Sequence, residues 1–220
     1  MQYLNNPERL MKLLNQLATG FGTTLSIFFM TLLIALPLGL IIALGRMSKH
    51  KVVSTPVSLY ILIMRGTPLM LQLFAVYFFL PKLVGPIPRL NAVYIAFGLN
   101  YAAYFAEIYR GGIMSIPPGQ YEAAQVLGFT KTQTFMRIIL PQTVKRVLLP
   151  VSNEVITLVK DTSLATAIAV SEMFLTAKNA TSSSGSVEPL FIAGIFYLLM
   201  NALVTWVFNL LIKRFNYYHD

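Results

Sequence analysis

Residues 13–45 read LLNQLATGFGTTLSIFFMTLLIALPLGLIIALG, and this stretch contains no charged residue. A helix needs about 20 consecutive, mainly apolar residues to cross the hydrocarbon core of a bilayer. The stretch is therefore long enough to span a membrane, and residues 189–212 form a second uncharged stretch of sufficient length. The sequence predicts an all-α integral membrane protein.

The overall composition agrees with this prediction. Of the 220 residues, 56% are hydrophobic and only 11% are charged, whereas soluble domains average about 25% charged residues. With a mean hydropathy of +0.66, this composition excludes a soluble enzyme, a disordered tail and a fibrous protein. The chain has no cysteine, which removes disulfides, thiolate metal sites and cysteine nucleophiles. Its length predicts one membrane domain.

The net charge of +9 does not indicate a nucleic-acid partner. The basic residues are scattered at the ends of apolar stretches and do not form one stripe with exposed aromatics. A metal site and an acyl-transfer site are not expected either, because His50 and His219 lie in a turn and a tail without carboxylate or nucleophile spacing around them.

Apolar runs and their breaks predict five membrane spans, at residues 20–45, 52–80, 90–109, 144–170 and 190–213. The second span contains a break, Arg-Gly-Thr-Pro. The third follows a loop with three prolines that no helix could continue through.

The remaining segments divide the chain further. Residues 1–19 predict an outer interfacial amphipathic helix, with Asn6 as its N-cap and Pro7 as its first residue. Residues 20–215 form the transmembrane domain, which includes a polar loop at residues 111–143. We expect residues 216–220 to be a cytoplasmic tail.

Lysines and arginines near the span ends predict the orientation, since the side with the excess is cytoplasmic. One side holds ten of them: Arg46, Lys49, Lys51, Arg110, Lys131, Arg137, Lys145, Arg146, Lys213 and Arg214. The other side holds five: Arg9, Lys12, Lys82, Arg89 and Lys178. We therefore expect the N-terminus outside, and the C-terminus and the polar loop in the cytoplasm.

Within the polar loop, residues 121–128 (YEAAQVLG) predict a short helix of good helix formers that ends at a glycine. Ala123 and Ala124 keep the helix thin enough for close packing against another protein. Glu122 offers a charged contact or a cap, and Gly128 lets the chain turn back towards the membrane. The residues alone favour an ordinary surface helix that joins two spans.

The spacing around this helix resembles a known motif. Glu-Ala-Ala at residues 122–124 is followed after three residues by Gly128, after nine more by Ile138, and then by Leu-Pro at residues 140–141. This pattern resembles the EAA motif of ABC importer permeases. The sequences RGTP at residues 65–68 and KDTSL at residues 160–164 resemble the polar amino acid subfamily.

The resemblance implies a fold, partners and roles. It implies the membrane domain of a type I ABC importer in the cell membrane, with residues 122–124 and Gly128 coupling it to the ATPase. The implied partners are two cytoplasmic ATPase subunits, a second permease subunit, an extracellular solute-binding protein, membrane lipid and an amino acid substrate. No phosphate-loop motif occurs in the sequence. We therefore expect no cofactor in this chain, and ATP and Mg to be bound by the partner ATPase.

Ionisable residues inside predicted spans are candidates for a substrate site, because such residues usually face a bundle interior or a cavity. They are Arg65, Glu154, Lys160 and Asp161. Glu154 and Asp161 are two helical turns, or about 10.5 Å, apart, so both lie on one helix face. By contrast, Glu107 and Arg110 are expected at the membrane interface, and Glu172 and Lys178 in solvent.

A substrate site follows as a hypothesis. Arg65, Gly66 and Thr67, with the start of the next helix, would hold the α-carboxylate of an amino acid. Glu154 and Asp161 would hold its ammonium group or a side-chain cation, which indicates a basic amino acid. Three residues of the third span would line the same cavity, where tyrosine rings attract cations: Asn100, Tyr101 and Tyr104.

Structural roles compete with this hypothesis. Asp161 is an N-cap residue type and would cap a half-helix from Ser163 to Met173, as Thr67 would cap a half-helix that begins at Pro68. Arg65 would alternatively form an ion pair with Glu154.

Two other functions remain open from the residues. In an ion-gradient-driven carrier or cation channel, Glu154 and Asp161 would relay protons or bind cations. In a heterodimeric importer, this chain would be a scaffold whose partner binds the substrate.

Overall fold

The structure is a computed structural model that describes Tyr3 and residues 5–215, and helices account for nearly all of that part, without a strand. The predicted tail at residues 216–220 lies outside the described residues. The ten α-helices are α1 (Pro7–Arg46), α2 (Lys51–Gly66), α3 (Leu69–Phe78), α4 (Pro81–Val84), α5 (Arg89–Met114), α6 (Pro118–Val126), α7 (Lys131–Thr134), α8 (Leu140–Asp161), α9 (Met173–Ser184) and α10 (Glu188–Phe215).

Helix α1 is continuous, so a separate helix before the first span is a wrong prediction. Asn6 does cap α1, with its side chain accepting from Arg9 N at 3.1 Å. No break follows, and Leu13 and Leu17 are buried in a cluster with residues of α9 and α10. The first turns of α1 therefore pack on protein, and the helix runs from there to Arg46.

The predicted break in the second span is present. Helices α2 and α3–α4 meet at a bend of 109°. Thr67 is the C-cap of α2, however, and Pro68 is the N-cap of α3. The prediction that Thr67 caps the second half-helix is therefore wrong, because its hydroxyl donates back to Ile63 O at 2.8 Å.

Helix α8 is flanked by two segments of non-α geometry. A π-helical segment, Phe135–Ile139, precedes it, and a 3₁₀ segment, Thr162–Ile168, follows it. Asp161 makes no side-chain cap hydrogen bond, because its carboxylate accepts from Tyr101 instead. The predicted capping role of Asp161 is therefore wrong, and the 3₁₀ segment ends at Ala169 with a positive φ of 56°.

Close approach between helices builds the core around α5. A Cβ added at Gly39 of α1 would lie 2.9 Å from Cβ of Phe105, and one added at Gly112 would lie 2.2 Å from Cγ1 of Val147 in α8. Small residues allow such approach between membrane helices. Helix α5 is therefore held between α1 and α8, which fixes the positions of its polar side chains.

Not every predicted span is apolar. Among the described helices, α1 and α10 are long and apolar enough to cross a membrane, and the bent pair of α2 with α3–α4 adds a third if it forms one span. Helix α5 contains Glu107 and Arg110, and α8 contains Glu154, Lys160 and Asp161. The count of five spans and the orientation stay predictions.

Candidate functional site

A cavity of about 760 Å³ lies between α2, α5 and α8. Ligand cavities in proteins are typically about 300–1,000 Å³, so this one has room for a small molecule. Its lining contains two predicted site residues of opposite charge and one predicted tyrosine. The full lining is Arg65, Tyr104, Glu107, Ile108, Gly111, Gly112, Ser115, Arg146, Pro150 and Glu154.

Arg65 stands at the border between this cavity and a second one. The second cavity, of about 660 Å³, lies on the side of α1 and α2, and Arg65, Tyr104 and Glu107 line both. The Arg65 guanidinium carbon lies 5.3 Å from the centre of the Tyr104 ring. This distance is within the range of a cation–π contact, so Tyr104 and Arg65 are in contact with each other where they line the two cavities.

The ion-pair partner of Arg65 is Glu107 and not Glu154, which corrects the predicted alternative. Nη1 of Arg65 lies 3.8 Å from Oε2 of Glu107. Glu107 also binds Arg110 through both carboxylate oxygens, at 2.9 and 2.7 Å. The sequence predicts Glu107 at the membrane interface, although an acid three residues before an arginine in an apolar helix is a signal for such a pair.

Glu154 and Asp161 lie on α8 as predicted, but they have different surroundings. Glu154 lines the 760 Å³ cavity. Asp161 is half-buried and accepts a hydrogen bond of 2.8 Å from the hydroxyl of Tyr101, which is 2% exposed. Tyr101 is therefore a buried partner of Asp161, and not part of the cavity lining.

Asn100 is also buried, and it supports the break between α2 and α3. Its amide Nδ2 donates to Met64 O at 3.0 Å and to Oε1 of Gln72 at 2.9 Å. Gln72 in turn donates to Met64 O, Thr67 O and Thr67 Oγ1, at 3.0, 3.1 and 2.8 Å. These bonds satisfy carbonyls that the broken helix leaves without partners. Sequence reasoning missed Gln72, whose signal is an amide within the apolar run of α3.

Gly66 and Thr67 are both exposed at the break. A Cβ added at Gly66 would meet nothing within 4 Å, and Gly66 lines the second cavity together with Arg65. The backbone at this break is therefore accessible beside the Arg65 guanidinium.

The predicted cytoplasmic helix is α6, and it ends in a Schellman motif. Phe129 N donates to Ala124 O, and Gly128 N donates to Gln125 O, both at 3.0 Å. Gly128 has a positive φ of 78°, the conformation that favours glycine at this position.

The exposed surface of α6 differs among the motif residues. Glu122 and Ala123 are exposed, whereas Ala124 is fully buried against the rest of the chain. Two large apolar residues beside them are exposed, Val126 at 87% and Leu127 at 73%. Helix α6 therefore presents a mixed apolar and acidic surface, with Ala124 as its anchor.

Two side chains of α8 form hydrogen bonds with other segments, one with α6 and one with the end of α5, which precedes α6. Gln142 donates to Gln120 of α6 at 3.4 Å. Arg146 donates to the carbonyl of Ser115 at the end of α5. Helix α8, which also carries Glu154, is therefore hydrogen-bonded to α6 and to the end of α5.

Glu172 is buried, which contradicts the expectation that it is solvated. Its carboxylate caps α9 by accepting from Phe174 N at 2.6 Å and Leu175 N at 2.7 Å. It also accepts from the Tyr197 hydroxyl of α10 at 3.0 Å. Burial of a carboxylate needs such partners, and the three bonds explain its position without a role in the cavity.

Comparison with known proteins places this architecture in a family. Residues 35–217 match the model of the binding-protein-dependent transport system inner membrane component. The L-cystine transport system permease protein TcyB of Bacillus subtilis (strain 168) is 40% identical over 72% of this chain and 68% of its own length. The arginine transport system permease protein ArtQ of the same organism is 36% identical over 86% of this chain and 87% of its own length.

A solved structure agrees in fold and sequence. A chain from a crystal structure of an amino acid ABC transporter with histidines superposes with a TM-score of 0.87, at 32% identity, over 96% of this chain and 98% of that chain. The chain belongs to the binding-protein-dependent transport system inner membrane components, and within them to the amino acid ABC transporter permeases. It has the membrane-domain fold of a type I ABC importer and is a transport component of the inner membrane. This family implies ATPase, binding-protein and permease partners.

Proposed function

We propose that this permease subunit translocates basic amino acids through the cavity between α2, α5 and α8. The observation that carries the proposal is the placement of Arg65 and Glu154 on the lining of one cavity. An amino acid carries a carboxylate and an ammonium group, and a basic one has a second cation. The cavity therefore offers a charge of the required sign to each end of such a substrate.

The carboxylate end is assigned to the break in the second predicted span. Arg65 supplies the guanidinium, and Gly66 and Thr67 with the N-terminus of α3 supply accessible backbone. Helix N-termini favour anions because their first N–H groups lack intrahelical partners. Asn100 and Gln72 hold this break in shape by their hydrogen bonds, and thus act on the carboxylate through the backbone.

The cationic end is assigned to α8 and to the tyrosines that face it. Glu154 binds the cation from the cavity lining, and the Tyr104 ring, which also contacts Arg65, adds an aromatic face. Asp161 and its partner Tyr101 extend the negative potential two turns along α8. ArtQ supports a basic substrate by its name, whereas TcyB names cystine, which carries two ammonium groups and two carboxylates.

Transport proceeds by alternating access driven in trans. Two ATPase subunits bind ATP and Mg beneath a pair of permease subunits, and a binding protein delivers the amino acid from outside. We assign five spans, an outer N-terminus and a cytoplasmic α6. Closure of the ATPases moves α6 as a rigid body, and the Gln142 and Arg146 contacts carry that motion into α8. Glu122, Ala123 and Gly128 form the exposed docking surface, with Ala124 anchoring it.

The test measures ATP hydrolysis by the ATPase subunit that is co-expressed with this chain, in liposomes that contain the complex, candidate binding proteins and a panel of amino acids. The proposal expects arginine, lysine or histidine to stimulate hydrolysis most. Stimulation by cystine alone would show that the substrate is a dicarboxylic amino acid and not a basic one. Stimulation that survives simultaneous Arg65→Ala and Glu154→Gln substitution would make this chain a scaffold whose partner binds the substrate.

A further inference from the structure

Glu107 is the centre of a cluster of three arginines from three helices. Arg110 of α5 occupies both of its carboxylate oxygens at hydrogen-bonding distance. Arg46 of α1 and Arg65 of α2 approach the same carboxylate only to 3.9 and 3.8 Å, which is too long for a hydrogen bond. Glu107 is therefore bound firmly to Arg110 and only electrostatically to Arg65.

The cluster leaves positive charge unbalanced. Three guanidinium groups surround Glu107, and Glu154 on the lining of the same cavity acts on Arg65 as a second negative charge, so the formal sum is one positive charge. The Arg65 side chain is 44% exposed. It forms an ion pair with Glu107 and contacts the Tyr104 ring, and its charge also acts on Glu154 of the same cavity at longer range. Its guanidinium donors are thus free for a second carboxylate that enters the cavity, because Arg can bind a carboxylate through two parallel hydrogen bonds.

We infer that Glu107 is an internal competitor of the substrate carboxylate for Arg65. This inference rests on the proposed function, in which Arg65 binds the α-carboxylate. Glu107 holds the Arg65 guanidinium beside the Tyr104 ring. An entering amino acid gives Arg65 closer hydrogen bonds and draws it from Glu107, while Arg110 keeps Glu107 in place. Glu107 is a positioning residue that lowers affinity and so favours release.

Electrostatics sets the direction of the effect. The Glu107 charge attracts Arg65 and repels a carboxylate bound next to it, and both interactions oppose binding of the substrate's carboxylate end. Glu107→Gln removes this charge but keeps an oxygen that accepts from Arg110. The variant therefore raises affinity for ligands with a carboxylate. It does not raise affinity for ligands that lack one.

The experiment measures equilibrium binding of radiolabelled arginine, and of its decarboxylated amine, to the purified complex of this chain with its ATPase and partner permease. We expect Glu107→Gln to bind arginine about threefold to tenfold more tightly than wild type. The amine should bind with no gain. Glu107→Asp keeps the charge and should stay within about twofold of wild type.

Two results overturn the inference in distinguishable ways. If Arg65→Ala abolishes arginine binding but Glu107→Gln leaves it unchanged or weaker, Glu107 does not compete and only this inference fails. If Arg65→Ala binds arginine as tightly as wild type does, Arg65 is not the carboxylate partner. The proposed function then has no carboxylate site, and the inference is wrong as well because it depends on that site.

Discussion

The hydroxyl of Tyr101 donates a hydrogen bond of 2.8 Å to Oδ2 of Asp161, which joins the middle of α5 to the last residue of α8. The bond explains why Asp161 makes no side-chain cap for the 3₁₀ segment that follows α8: the carboxylate is turned towards α5. The same bond places a negative charge within the helix bundle, two turns from Glu154. The Tyr101–Asp161 bond thus affects both the conformation at the end of α8 and the position of a negative charge two turns from Glu154.

Tyr101→Phe should destabilise the protein by about 1–3 kcal/mol, because it removes the donor from a half-buried carboxylate. The measurement is thermal unfolding of the detergent-purified chain. Tyr104→Phe is the matched control, since the Tyr104 hydroxyl makes no hydrogen bond within the described residues. Equal unfolding temperatures for the two variants would contradict a stabilising role of the Tyr101–Asp161 bond.

Gly128 has a φ of 78° and open space where a Cβ would be, so only backbone conformation restricts its replacement. Gly128→Val should therefore distort the end of α6 and lower transport per ATP hydrolysed, whereas Gly128→Asn should retain most coupling, since asparagine tolerates this conformation. The two rates are measured in the same proteoliposomes. If valine and asparagine behave alike, the positive φ has no part in coupling.

Gly112→Ala should weaken the α5–α8 packing by about 1–3 kcal/mol, because the new Cβ would overlap Cγ1 of Val147. Gly111→Ala is the control, since a Cβ there meets nothing within 4 Å. Unfolding temperatures of the two variants provide the comparison. If Gly112→Ala is as stable as Gly111→Ala, α5 and α8 can move apart to accommodate the new methyl group without a loss of stability.

Gln72→Leu and Asn100→Leu should each destabilise the bent second span by about 1–3 kcal/mol. The two side chains share one hydrogen bond and the Met64 carbonyl, so the double variant should lose less than the sum of the single losses. Unfolding measurements on all four proteins complete the cycle. Strictly additive losses would mean that the two amides do not act as one support.

Local signals account for what the sequence predicts correctly. Proline at position 68 marks the break between α2 and α3, and helix formers followed by Gly128 mark α6, because both effects act over a few neighbouring residues. The seven-residue spacing of Glu154 and Asp161 places both on α8 for the same reason.

Contacts between distant segments account for what the sequence does not predict. The partners of Glu107 come from α1, α2 and α5, so no local pattern distinguishes its ion pair with Arg65 from one between Arg65 and Glu154. Asp161 is a good capping type, yet Tyr101, sixty residues away, provides the competing partner. Glu172 resembles a solvated acid in sequence, and the packing of α1 and α10 against the start of α9 buries it.

The most direct test of the account is arginine uptake by the reconstituted importer with Glu154→Gln, in competition with unlabelled lysine, histidine and cystine. The matched control is Glu8→Gln, an equal charge change at an exposed residue in the first turn of α1. The account predicts that Glu154→Gln weakens basic amino acid uptake at least about tenfold, a loss of roughly 1.4 kcal/mol, while Glu8→Gln transports as wild type. An unchanged competition profile in Glu154→Gln would contradict the assignment of this cavity to a basic amino acid.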